Sequence, residues 1–126
     1  MTAPAPSVLD APAQTPTGAI AARAPGNACP ECLQPIERAH PRQMFCSPAH
    51  KRAWHNRDTV RGARLAPLAI ASHSTRGGTR GDKDTGRDAR RAAEQLMRQW
   101  DADDRAAGRM RAIEYVALRN RLGYDQ

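Results

Sequence analysis

Apolar positions in the last third of the chain recur with a helical period. Ala89, Ala92, Ala93, Leu96, Met97 and Trp100 fall at i, i+3, i+4, i+7, i+8 and i+11, which places them along one side of an α-helix. The stripe predicts a helix from about Asp88 to Ala107, stopped by Gly108. Met110 to Leu122 predicts a second, shorter helix with Ile113, Val116 and Ala117 on one side and Gly123 as its end. Further upstream, Ser47-Pro48 reads as a helix start. Ser is a preferred N-cap, and Pro fits the first helical position because its missing N–H would be unpaired there. That helix is expected from Pro48 to about Ala66, with Gly62 weakening it and a stop or kink at Pro67. Leu65, Leu68, Ala69 and Ile70 form an apolar end that reaches Ala71.

The remaining stretches show no helical period. Residues 1–27 are mostly Ala, Pro, Thr and Ser, with little to bury, and predict a disordered tail. Between Leu33 and Phe45, Pro35 and Pro41 keep any strand short, and Gln43-Met44-Phe45-Cys46 is the best candidate for one. Ser72 to Gly86 is rich in Gly, Ser and Thr and reads as a linker. The expected organisation is a tail over 1–27, a module over 28–71, a flexible linker over 72–87 and a helical extension over 88–126.

Composition sharpens this picture. Only 4 % of residues are aromatic, beside nine glycines and ten prolines, so no large core can form. A domain with so little to bury generally needs a staple. The net charge is +7, which favours polyanionic partners. The excess is local. Residues 29–80 hold nine basic and three acidic groups, net +6, whereas residues 81–126 hold ten basic and nine acidic groups. Prolines interrupt every apolar run near the N-terminus, so no signal peptide is expected there. No stretch approaches the roughly 20 apolar residues of a membrane span. Three cysteines cannot complete a disulfide framework, so a reducing, cytoplasmic setting with metal-bound thiolates is the expectation.

All three cysteines lie in one stretch. Cys29-Pro30-Glu31-Cys32 is followed, thirteen residues on, by Cys46-Ser47-Pro48-Ala49-His50. These are two ligand pairs, C-x2-C and C-x3-H, joined by a loop long enough to turn back. The set suits a tetrahedral Cys3His site for a structural zinc, with Zn–S bonds of about 2.3 Å. Cys46 precedes the helix and His50 sits in its first turn, so both can face one ion. His40 and His55 compete with His50 for the fourth place. His55 lies more than two turns beyond Cys46, and His40 requires the loop to fold back. The bland alternative, three buried free thiols, makes this clustering accidental.

The run Phe45-Cys46-Ser47-Pro48-Ala49-His50-Lys51-Arg52, preceded by Cys29-Pro-Glu-Cys32, resembles an FCS-type zinc finger of the treble-clef class, found in small bacterial and phage-associated proteins. It departs from that pattern at the fourth ligand, where His50 stands in place of Cys. The resemblance covers roughly residues 28–60. It implies a small α+β, mostly α fold: a knuckle, a short hairpin and a helix that completes the metal site, here with a helical C-terminal extension.

Two functions follow as expectations. Arg42, Lys51, Arg52, Arg57, Arg61 and Arg64 would contact phosphates of DNA or RNA with weak sequence preference. Alternatively, the chain is a zinc-stabilised adaptor whose C-terminal helix docks a protein partner or a second copy, the arginines pairing with Asp101, Asp103 and Asp104. No membrane partner is expected, and no enzyme. Ala39 stands where a treble-clef nuclease would place an acid before His40, and no carboxylate pair or nucleophile triad is present. Deleting residues 1–27 removes almost no apolar surface, so the thermal midpoint should stay within a degree or so of the full chain's. A fall of several degrees in a melting scan would show that the tail packs.

Overall fold

The structure, a computed structural model, describes residues 27–37 and 40–124. The tail expectation therefore lies almost wholly outside the described residues. Three helices account for most of the chain: α1 over Pro48–Ser74, α2 over Lys83–Ala106 and α3 over Ala112–Arg121. Among the described residues there is no strand, only an isolated antiparallel bridge between Ala28 and Pro35. The chain is thus small and mostly helical, as expected, but the strand over Gln43–Cys46 does not form. Met44 and Phe45 are adjacent and both buried, whereas a strand would send neighbours to opposite faces.

The chain divides into two compact units. One joins the residues up to Lys51 with those from Asp103 onward, and the other is Arg52–Ala102. The C-terminal residues therefore belong with the cysteine stretch rather than with a separate extension.

In the first unit, Ala28, Cys29, Ile36, Met44, Phe45, Met110 and Leu118 are buried. The end of α2 turns sharply at Gly108, φ +72°. The Arg109 N–H donates to the Asp104 carbonyl at 2.9 Å and the Gly108 N–H to Arg105 at 3.2 Å. That is the Schellman pattern, which occupies carbonyls that the helix leaves over. The Asp104 carboxylate then accepts from Arg109 Nε at 3.0 Å, with only 4 % of its side chain exposed. The Met110 N–H reaches the Pro30 carbonyl at 2.8 Å and pins the cysteine knuckle to the segment between α2 and α3.

α3 buries Leu118 and exposes Ile113, Val116 and Ala117. The side that carries these three residues is the outward one. At its end, Gly123 repeats the Schellman turn, with Tyr124 N–H donating to Arg119 at 3.0 Å. Tyr124 is thereby aimed at Arg42. Its hydroxyl donates to the Arg42 carbonyl at 2.6 Å, and the guanidinium lies 4.3 Å above its ring.

The second unit is a helical hairpin. α1 does not stop at Pro67 but continues to Ser74. Pro67 withholds one N–H from the Ala63 carbonyl, and both residues are exposed, so water can take its place. Trp54 is buried on α1, with Leu65 and Leu68 half-buried on the same side. On α2 the expected stripe is realised in its small members: Ala89 and Ala93 are buried, Leu96 and Trp100 half-buried, and Met97 exposed.

The expected linker over 72–87 is instead the end of α1, a tight turn and the start of α2. Thr75 organises it. Its Oγ1 donates to the Ala71 carbonyl at 2.9 Å and accepts from the Gly78 N–H at 3.1 Å. Its own carbonyl accepts from the N–H groups of Gly78, Thr79 and Arg80. Asp82 caps α2 through the Thr85 N–H at 3.2 Å. Bonding to Thr85 holds the Asp82 carboxyl below its ordinary range. Two glycines let the helices meet here. A Cβ on Gly78, φ +91°, would stand 2.8 Å from the Arg87 backbone nitrogen, and one on Gly86 would overlap the Thr75 side chain. Gly86→Ala should therefore force the turn apart, at a cost of about 1–3 kcal/mol. Chemical denaturation of the pure variant reads this directly. An unchanged or higher stability would show that the turn is slack.

Candidate metal centre

The knuckle is built by local hydrogen bonds. The Cys29 N–H donates to the Gln34 carbonyl at 2.9 Å, and the Leu33 N–H to the Cys29 carbonyl at 2.7 Å. The turn forces Leu33 to φ +63°, a left-handed conformation costing roughly 1–2 kcal/mol for a residue with a Cβ. On the other side, Ser47 caps α1 as its sequence position suggests. Its hydroxyl accepts from the His50 N–H at 3.2 Å, and its carbonyl from the Lys51 N–H at 3.1 Å. That cap fixes the first helical turn, and with it the angle between Cys46 and the His50 ring.

The result is a convergence of four donor atoms. The sulfurs of Cys29, Cys32 and Cys46 and one ring nitrogen of His50 all lie within 4.8 Å of one another. Cys32 Sγ is 3.9 Å from Cys46 Sγ, and His50 Nδ1 is 3.9 Å from Cys29 Sγ and 3.1 Å from Cys46 Sγ. A tetrahedron with metal–sulfur bonds of about 2.3 Å has edges of about 3.8 Å. The sulfur–sulfur distance matches that edge and is far from the roughly 2.05 Å of a disulfide. The three cysteines are free. The donor set and its spacing thus fit a metal ion. Nδ1 faces the cluster, so a bound ion requires the ring proton on Nε2.

The two knuckle thiols differ in their electrostatics. Burial pushes the Cys29 thiol up. It is outweighed by bonding to the Cys46 backbone, the His50 ring and the Glu31 and Cys32 backbone, so the pKa falls to about 7. Burial raises Cys32 to about 11, reinforced by the neighbouring Cys29 and Cys46 and opposed by the Gln34 backbone. Backbone amides thus favour one thiolate, while crowding of like groups disfavours the next. A cation among them reverses that second effect.

The other candidates are placed elsewhere. His40 is exposed and accepts the Arg42 N–H on Nδ1 at 3.1 Å, and His55 is exposed on α1; neither joins the cluster. The proposed phosphate ligands separate into two groups. Arg42 is stacked on Tyr124 and donates to the Gly123 carbonyl at 3.0 Å. Arg57 lies 5.9 Å from the Trp54 ring and Arg61 5.5 Å from the Trp100 ring, both half-buried. Lys51, Arg52 and Arg64 are exposed and form no ion pair among the described residues. A shared helix does not mean a shared face: Arg57 and Arg61 recur with Trp54, Leu65 and Leu68 on the inward side. The same i, i+3, i+7 spacing from Trp54 would have signalled this.

Comparison with protein-family models, curated proteins and solved structures gave no match. No helix among the described residues is long and apolar enough to cross a membrane.

The geometry yields ligand-specific expectations. Cys32→Ser should abolish metal binding and melt the knuckle, since binding and folding are one event at such sites. His50→Cys should retain metal and His50→Ala should lose at least about tenfold in affinity, while His40→Ala and His55→Ala should change it little. Metal content by elemental analysis and competition with a chromophoric chelator measure this. Loss of metal in His40→Ala or His55→Ala would reassign the fourth ligand.

Proposed function

We propose that this chain is a zinc-stapled nucleic-acid-binding protein of the treble-clef kind, acting through phosphate contacts with little sequence preference. Zinc is the natural occupant of a closed set of three thiolates and one imidazole, and such a set is structural because it leaves no coordination place for water or substrate. Thiolate ligands also accord with a reducing compartment. Binding rather than catalysis is the role we assign.

One observation carries the nucleic-acid reading. Lys51, Arg52 and Arg64 present three positive charges on α1 that no acidic side chain compensates among the described residues. A nucleic-acid backbone relieves such uncompensated charge and releases counterions as it does so. Sequence preference should be weak, because Asn56 and the arginines are the main groups on α1 suited to base edges.

The adaptor reading has its own support in the exposed ridge of α3, where Ile113 is 68 % and Val116 43 % accessible. Salt dependence separates the two. The zinc-loaded protein should bind duplex and single-stranded oligonucleotides with an affinity that falls steeply with salt. Changing Lys51, Arg52 and Arg64 together to Gln should flatten the log–log slope for duplex by up to about 2.7. Arg57→Ala and Arg61→Ala should instead lower stability, each removing a stacking contact worth about 0.5–2 kcal/mol. Absence of any oligonucleotide binding at low salt would favour the adaptor.

A further inference from the structure

The turn of the helical hairpin encloses an open pocket of about 560 Å³ lined by Ser72, His73, Ser74, Arg76, Gly77 and Arg80. Every lining residue is polar, cationic or glycine. Two arginines and a histidine contribute to the lining, and no carboxylate does. The side chains of His73, Arg76 and Arg80 make no ion pair among the described residues. The nearest acids in sequence are already engaged: Asp82 caps α2 through Thr85, and Asp84 pairs with Arg87.

Arg76 is placed by the end of α1. It occupies the position just past the end of α1 with φ +49°. The Gly77 N–H donates to Ser72 at 2.7 Å and the Arg76 N–H to His73 at 3.1 Å, the Schellman pattern again. Gly is the usual residue at that place, and the chain uses it at the ends of both other helices, Gly108 and Gly123. Here an arginine stands in a backbone conformation that disfavours it. The turn thereby holds Arg76 beside the pocket it lines.

We propose that the hairpin turn is a phosphate-binding pocket in which Arg76 and Arg80 grip the phosphate oxygens, assisted by His73 and the Ser72 hydroxyl. Paired guanidinium groups match the tetrahedral oxygens of a phosphate or phosphodiester through two-pronged hydrogen bonds. The pocket rests on the nucleic-acid reading only for its occupant, a backbone phosphodiester. The structural rival is simple compensation: cations near a helix C-terminus stabilise its negative end.

The two accounts differ in what Arg76→Gly does to binding. Under the proposal, Arg76→Gly raises the thermal midpoint by relieving the left-handed strain, yet weakens oligonucleotide binding. Under compensation the same relief of strain acts on the midpoint, and oligonucleotide binding is unchanged. The double variant Arg76→Gln with Arg80→Gln should flatten the salt slope for duplex by about 1.8. If the wild type binds oligonucleotides and the double variant binds them identically, the pocket is not a phosphate site, while the reading of α1 stands.

Titration with inorganic pyrophosphate reads the pocket without any nucleic acid. Saturable amide shifts at Arg76, Gly77 and Arg80 are expected in the zinc-loaded protein, and their absence overturns the proposal. Shifts with pyrophosphate in a protein that binds no oligonucleotide would uphold the pocket and refute the nucleic-acid reading alone. Arginine-dependent binding to phosphatidylserine vesicles without pyrophosphate shifts would assign Arg76 and Arg80 to a membrane surface and overturn the pocket.

Discussion

Three cysteine sulfurs and an imidazole nitrogen have to be held within 4.8 Å of one another for one ion to meet all four. That constraint shapes the unit around it. Local bonds prepare the site: knuckle amides favour the Cys29 thiolate, and Ser47 fixes the turn that carries His50. Distant residues then hold it. Met110 bonds to the Pro30 carbonyl, and α3 buries Leu118 in the same unit. With so few large apolar residues, burial alone offers little, and a metal bound at this site would supply folding energy that the core lacks.

The hairpin unit solves the same scarcity differently. It buries Trp54 and lets α1 and α2 approach through Gly86, Ala89 and Ala93, side chains too small to keep the helices apart. Arg57 and Arg61 lie over the indoles of Trp54 and Trp100. Arginine serves there as a flat apolar surface with a charge at its end. The same residue type has three uses here: stacking in Arg57 and Arg61, tying a C-terminus in Arg42, and presenting charge to solvent in Arg52 and Arg64. Counting charge along a helix cannot tell these uses apart, so the basic segment presents fewer charges to solvent than its composition suggests.

Much of the metal centre and of the helix pattern was legible in the sequence. Cys29, Cys32, Cys46 and His50 were marked by spacing, because a tetrahedral site fed from one helical turn and one knuckle imposes short, fixed separations. The α1 start at Ser47-Pro48 and the stops at Gly108 and Gly123 were marked by residues whose backbone chemistry is local. Contacts between distant segments were not legible. Thr75 and Gly86 look like linker residues until α2 is laid against α1. Pro67 looks like a stop until the exposed carbonyl it leaves can be given to water. Asp104 looks like part of a surface acidic cluster until Gly108 turns Arg109 back onto it. The sequence by itself determined which residues can ligate, cap and turn, since those properties belong to single residues and their near neighbours. The tertiary structure alone decided which arginines face inward, which side of α3 is covered, and that Met110 meets the knuckle and Tyr124 meets Arg42. Those outcomes depend on which surfaces meet, and no local spacing encodes that.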